Sequence, residues 1–212
     1  MATELDHIVV GCADLASGEA WMEDLLGKPA QGGGEHVAMS THNKVWSLGS
    51  CFLELIAIKP DAPDPGRKRW FSLDDPAVHK KLAMGPHLLT WAVRVDDIEM
   101  VKAASPIPLG ELHELERGDL KWKVLIPEDG SLIQEGHVPL VIQWLTPHPA
   151  ERMDDSGMRL LSLKAARNET TLLDRTLDAI GAGGLATVEN TALSTSIMAE
   201  VSTEEGNVSF VG

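Results

Sequence analysis

The sequence predicts an α+β fold made of two successive β-α-β-β-β units and a third, partial β-α-β-β unit at the C-terminus. Three observations predict it. Short runs rich in β-branched residues alternate with single amphipathic segments. The same order of elements occurs once before and once after a proline-rich stretch. Punctuation also matches between the halves: aligning "VGCADL" with "VRVDDI" sets Asp14 on Asp97 and Leu15 on Ile98. An internal duplication is therefore the expected organisation.

The first unit covers residues 1–60. "DHIVVGC" reads as a strand, and "ADLASGEAWMEDLLG" as a helix with Asp14 at its start and Gly27 at its end. "GGGEHVAM", "THNKVWSLG" and "CFLELIAIKP" follow as strands, the last two joined by a tight turn at Gly49 and Ser50. Residues 61–84 form a linker or lid, ending in a short helix through "PAVHKKLAMG". Trp70 and Phe71 inside it predict that the loop packs back on the body. The second unit covers 85–150: strand "HLLTWAVRV", helix "DDIEMVKAAS", then strands "GELHELERG", "LKWKVLIPEDG" and "VPLVIQWLTP". The partial unit covers 151–212 and is expected to pack on the other two. Its elements are strand "MRLLSLKA", helix "ETTLLDRTLDAIG", strand "LATVENTA" and the segment "STSIMAEVSTEEGNVSFVG" with a turn at "EEGN".

Charge narrows the partners. Thirty-two acidic residues against 18 basic give a net charge of -14 over 212 residues, which repels nucleic acid and anionic membranes. "MATELDHIVV" lacks the basic and apolar regions of a secretory signal, and runs such as "CFLELIAI" are too short to span a bilayer. Cys12 and Cys51 sit in no metal-like spacing, so they are expected as reduced, buried thiols of a cytoplasmic protein. There is no phosphate-binding glycine loop, no G-x-S-x-G and no H-E-x-x-H. Six tryptophans and no tyrosine remove phenol as an acid or base. Trp46, Trp91, Trp122 and Trp144 are expected to fill the core, with one or two lining a pocket.

Two residues break the apolar pattern. His7 opens a strand, sharing a face with Val9 and Gly11, and Glu54 lies within "CFLELIAI", sharing a face with Phe52 and Ile56. A carboxylate there is costly to bury alone and needs a metal, an imidazole or an arginine such as Arg94. Each has a structural alternative: a hydrogen-bonded edge histidine for His7 and a buried ion pair for Glu54. For His42 and Asn43 the alternative is a side-chain-stabilised turn. His79, His113, His137 and His148 read as bystanders.

The paired units, with "LDHIVV" in front, "STHN" before the third strand, "FLELIAI", "WAVRVDDI" and "VPLVIQW", resemble the glyoxalase-like domain family of the vicinal oxygen chelate superfamily. The resemblance covers about the first 150 residues. It implies a curved half-barrel whose cleft holds one divalent metal (Zn, Ni, Mn or Fe), with ligands from the first and last strand of each unit. Carried over, the first-unit positions are His7 and Glu54, and the second-unit positions are Thr90 and Gln143, a poor and a weak ligand. His42 is the best third donor, ahead of His36 and His87. Asn43, Thr90, Gln143 and Arg94 are the implied substrate-pocket residues.

Two functions stay open. One is a metal-assisted lyase or isomerase acting on a small carbonyl or oxygen-bearing metabolite, with His7 and Glu54 catalytic. The other is metal-free binding of a small molecule, of the drug-sequestering type. A decayed structural remnant is a weaker third. Glyoxalase I and dioxygenase chemistry both want ligands that this set lacks. A homodimer is the assembly considered.

Overall fold

A computed structural model describes residues 2–192 and 195–212. Ser194, the first residue of the predicted C-terminal strand segment, lies outside them, as does Met1. The chain runs β1 (Thr3–Gly11), α1 (Leu15–Leu26), β2 (Gly32–His36), β3 (Thr41–Ser47), β4 (Phe52–Ile58), α2 (Pro76–Leu82), β5 (His87–Val95), α3 (Ile98–Ala104), β6 (Glu111–Arg117), β7 (Leu120–Ile126), β8 (Leu140–Trp144), β9 (Arg159–Arg167), α4 (Thr171–Ala179), β10 (Thr187–Asn190), β11 (Ser196–Thr203) and β12 (Gly206–Val211). No helix among the described residues is long and apolar enough to cross a membrane.

Helix starts follow the aspartates. Asp14 accepts from the backbone N–H of Ser17, and Asp97 from that of Met100. Gly27 ends α1 in the left-handed conformation, φ 64°. Asp14→Ala is expected to lower stability, because the Ser17 N–H loses its acceptor. Urea melts would read that loss, and an unchanged midpoint would deny Asp14 the role.

Eight strands form one curved sheet in the order β2-β3-β4-β1-β5-β8-β7-β6. In each half the unit's first strand lies parallel to its last, β1 to β4 and β5 to β8. Antiparallel β1 and β5 join the halves at the centre. The sheet's two faces carry separate apolar clusters. Ile8, Val10, Leu53, Leu55, Trp91 and Val93 face the helices. Val9, Ile56, Ala92, Trp122 and Ile142 face the concave side, where the 59–75 loop folds in and buries Trp70 and Phe71.

That loop is firmly held. Ser72 N–H donates to Gly130 C=O at 2.8 Å, and Arg69 pairs with Asp74 at 2.6 Å. A Cβ on Gly130 would stand 2.0 Å from the Arg69 carbonyl oxygen, so only glycine admits the loop this closely. Phe71 and Ser72 both adopt left-handed backbone, φ 59° and 54°. Two adjacent non-glycine residues in that region are held against local preference by the packing around them.

The C-terminal segment differs from the expected truncated copy. It forms its own four-stranded sheet, β10-β9-β11-β12, in which α4 links two directly paired parallel strands, β9 and β10. In the first two units the strand after the helix goes instead to the sheet edge. Strand propensity fixes that a segment is a strand, not which neighbour it pairs with. The sheet and α4 pack on the helix side of the large sheet: Leu173, Leu177, Ile197 and Phe210 join the cluster of Trp91 and Val93. Cys12 and Cys51 are buried free thiols, pushed by burial up to about 12 and about 11.

Candidate active site on the concave face

Strand alternation brings His7 and Glu54 together on the concave face. The His7 imidazole Nε2 lies 3.5 Å from Glu54 Oε2. Both residues are 5% exposed. Pairing explains it: β1 and β4 run parallel with His7 beside Phe52 and Val9 beside Glu54, so His7 and Glu54 stand on neighbouring strands two positions out of register. His7 also stacks on Phe52, ring centroids 4.6 Å apart.

Each side chain is held from behind. Asp6, fully buried, accepts from His7 Nδ1 at 2.6 Å and from Trp144 Nε1 at 2.7 Å. His148 Nε2 lies 3.2 Å from the same carboxylate. This is possible because Asp6 sits in a β-bulge: Leu5 pairs with Val93 and His7 with Ala92, so Asp6 is the extra residue. The histidine contacts and the opposite charges keep Asp6 well below the usual carboxylate range, against the burial that would raise it. Burial pushes His7 down, but the Asp6 hydrogen bond and charge, with Glu54, outweigh it, and the imidazole is raised above its ordinary 6.5. That direction favours the imidazolium, with Nδ1 against Asp6 and Nε2 toward Glu54.

Glu54 Oε1 accepts from Asn43 Nδ2 at 2.5 Å. Asn43 Oδ1 in turn accepts from Arg117 Nη1 at 2.8 Å and from the Gly34 N–H at 3.0 Å. Arg117 reaches over from β6, on the far edge of the sheet. A Cβ at Gly34 would stand 3.1 Å from Arg117 Cδ, so the glycine-rich β2 leaves the arginine its path. Arg117 Nη1 also donates to His36 Nε2 at 3.3 Å, while His36 Nδ1 faces Thr41 Oγ1 at 3.2 Å. Burial first, then the Arg117 charge, push His36 down to about 3, so it is neutral with the Nε2 lone pair on Arg117.

Around these polar groups lies a cavity of about 50 Å³, walled by Phe52, Trp70, Phe71, Trp122, Trp144 and Pro149. The pairing of polar atoms on one side with aromatic rings on the other is the usual build of a small-ligand site.

Several expected site residues stand elsewhere. His42 and Asn43 are consecutive in β3, so they face opposite ways. Asn43 enters the cavity, and His42 lines a groove on the outer face beside Leu15 and Gly32. Gln143 is turned outward and accepts from the Ile98 N–H at 3.1 Å, at the start of α3. Its neighbours Ile142 and Trp144 take the cavity positions, because the two units are offset by one residue here and a one-residue slip reverses a strand's faces. Thr90 is on the concave side but donates to Gly136 C=O at 2.9 Å, and it lines a separate small space under Trp70 and Phe71. Arg94 is spent at the strand ends, on Leu5 C=O at 2.9 Å, Ser50 C=O at 3.1 Å and the Glu4 carboxylate. Trp122 and Trp144 line the cavity, while Trp46 and Trp91 fill the core on the helix side.

These placements bear on a metal. His7 and Glu54 give two donors, Asp6 is taken by three N–H groups, and His42, Thr90 and Gln143 add none. No group of three or more His, Cys, Asp or Glu among the described residues is placed to hold an ion. The donor set does not fit the metal ring that the resemblance implies. Three residues of the site carried no expectation from sequence, or the wrong one: Asp6, Arg117, and His148, read as a bystander.

The model of the glyoxalase-like domain family matches residues 5–181. A crystallised hypothetical protein from Staphylococcus aureus has a similar fold, with TM-score 0.61 and 16% identity, covering 100% of this chain and 85% of that one. A variant of Streptomyces coelicolor methylmalonyl-CoA epimerase in complex with 2-nitronate-propionyl-CoA gives TM-score 0.41 and 18% identity, over 68% of this chain and 94% of that one. Methylmalonyl-CoA epimerase from Mycobacterium tuberculosis gives 0.39 and 18%, over 66% and 85%. No curated protein matches the sequence.

Proposed function

We propose, from the premise that this chain belongs to the glyoxalase-like domain family, that it is a metal-independent acid–base catalyst acting on a small carbonyl-bearing metabolite. One observation carries the reading: the His7 Nε2 and a Glu54 carboxyl oxygen face each other at 3.5 Å inside an aromatic-walled cavity. The carboxylate takes a proton from the carbon next to the carbonyl, and the imidazolium Nε2–H gives its own to the carbonyl oxygen. The reverse transfers restore both groups and return the proton on the face where Glu54 stands, to the same carbon or to the neighbouring one. Protons balance, and an isomerisation through the enediol needs nothing further. Asn43 holds Glu54 by one oxygen and leaves the other toward His7. Asp6 fixes His7 in the doubly protonated form. The same reading takes residues 1–60 and 85–150 as copies of one unit, supported by the matching strand order of the two halves.

The test is hydrogen–deuterium exchange at the carbon next to the carbonyl, followed by proton NMR in D2O with hydroxyacetone and pyruvate as probes. Wild type is expected to accelerate exchange of at least one. Glu54→Gln should slow it by about 10²–10⁴-fold, the worth of a positioned base. Exchange no faster than buffer, or unaffected by Glu54→Gln, removes the catalytic reading. Saturable binding without exchange would favour the second one, a binding protein, which the five aromatic rings around so small a cavity support.

A further inference from the structure

We infer that the ligand of this cavity carries a carboxylate and that Arg117 docks it. The inference rests on the reading above for what the ligand undergoes, but not for whether it binds.

Arg69, Arg94, Arg152 and Arg159 each pair with a carboxylate. Arg117 does not: among the described residues no carboxylate oxygen lies within 4.0 Å of its guanidinium, although it is half-buried and lines the cavity. Both of its hydrogen bonds leave from Nη1, to Asn43 and His36, and both acceptors are neutral. Nε and Nη2 have no partner among the described residues. A half-buried guanidinium with no carboxylate in contact is incompletely compensated, and its two free donors form the fork that matches a carboxylate.

Glu54 makes no contact with Arg117, because Asn43 stands between them and bonds to both; its charge offsets only part of the burial that pushes Arg117 down. It does limit the guest's charge: a monoanion meets less repulsion from Glu54 than a dianionic phosphate. Size limits it further. At roughly 10–15 Å³ per water-sized site, a cavity of about 50 Å³ takes a ligand of only a few non-hydrogen atoms. The chemistry that fits is a small 2-oxo or 2-hydroxy monocarboxylate, its acid group on Arg117 and its carbonyl or hydroxyl carbon toward His7 and Glu54.

Tryptophan fluorescence tests this, since Trp70, Trp122 and Trp144 line the cavity. Wild type, Arg117→Met, Arg117→Lys and Glu54→Gln are titrated with pyruvate, methyl pyruvate and inorganic phosphate, and thermal melts check each variant's fold. Pyruvate should bind wild type and Glu54→Gln. Arg117→Met should weaken it about 10- to 150-fold, the range for a hydrogen-bonded charge. Arg117→Lys should lose part of that, since it keeps the charge without the fork. Methyl pyruvate and phosphate should both bind more weakly than pyruvate. Equal pyruvate affinity in wild type and a folded Arg117 variant overturns the docking role. The ester or phosphate binding as well as the acid overturns the carboxylate, and so does no saturable pyruvate binding. Arg117-dependent binding without exchange sinks the catalytic reading alone. Exchange of hydroxyacetone with binding indifferent to Arg117 sinks this inference alone.

Discussion

Replacing Asp6 by alanine is expected to destabilise the fold by about 3–5 kcal/mol, the usual cost of removing one partner from a buried charged pair. Asp6 is fully buried and accepts from His7 and Trp144, with His148 at 3.2 Å. Its loss leaves the His7 imidazolium facing one carboxylate at 3.5 Å and the Trp144 indole N–H without an acceptor. The second consequence is electrostatic. With Asp6 gone, burial acts on His7 with less opposition, and its raised pKa must fall. The sign follows from linkage. A histidine whose folded pKa exceeds 6.5 adds stability that is complete below 6.5 and disappears as pH rises through the folded value. In Asp6→Asn, which keeps the shape, that alkaline decline should vanish. Urea melts of wild type and both variants at pH 6 and 9 measure the stability, and NMR titration of the His7 ring measures the pKa. A loss under about 1 kcal/mol, or a His7 titration unmoved by Asp6→Asn, would show that the carboxylate does not hold the imidazolium.

Asp6 also marks where strand reading stops. Alternation alone puts His7 and Glu54 on one face, and the structure brings them together. The same alternation puts Asp6 on the other face, and the bulge defeats it. A bulge depends on how two strands twist against each other, which neither strand's residues state alone. The "LDH" triplet did carry a signal: an aspartate in an apolar strand beside a histidine is as costly to bury as Glu54, and the cheapest remedy is the adjacent ring. Arg117 was hidden for a different reason. β6 lies at the far edge of the eight-stranded sheet, 63 positions along the chain from Glu54, and only sheet curvature brings it to β2. Its face was readable, since Arg117, Leu115 and His113 alternate with exposed glutamates, but its neighbour was not. Caps were the most legible feature, because Asp14 and Asp97 satisfy donors three residues away. The position of Gln143 was the least, because two segments this dissimilar do not fix an alignment to one position.

His36 supplies the strongest acid dependence. It is buried against Trp70, its ring edge-on at 5.0 Å, with Arg117 on Nε2 and Thr41 on Nδ1. A proton on Nε2 would meet the arginine's N–H head-on, and among the described residues no carboxylate pairs with the ring. Its folded pKa is accordingly about 3, against an ordinary 6.5. Above 6.5 both folded and unfolded states hold a neutral ring, and His36 contributes no pH dependence. Below 6.5 the unfolded chain binds a proton that the folded chain refuses, so stability falls as pH drops toward 3. At 1.36 kcal/mol per pH unit over that interval, the loss at pH 4 is about 3 kcal/mol. His7 does not add to it, because its contribution is constant below 6.5. Asp6 enters only as pH falls below its ordinary 3.8 toward its depressed value. His36→Gln keeps an acceptor for Arg117 and a donor for Thr41 but cannot titrate. Urea melts of wild type and His36→Gln at pH 7 and pH 4 isolate the effect, with the variant expected to lose about 3 kcal/mol less than wild type over the same step. An equal acid loss in both proteins would mean that the folded chain protonates His36 readily, and that Arg117 does not hold the ring neutral.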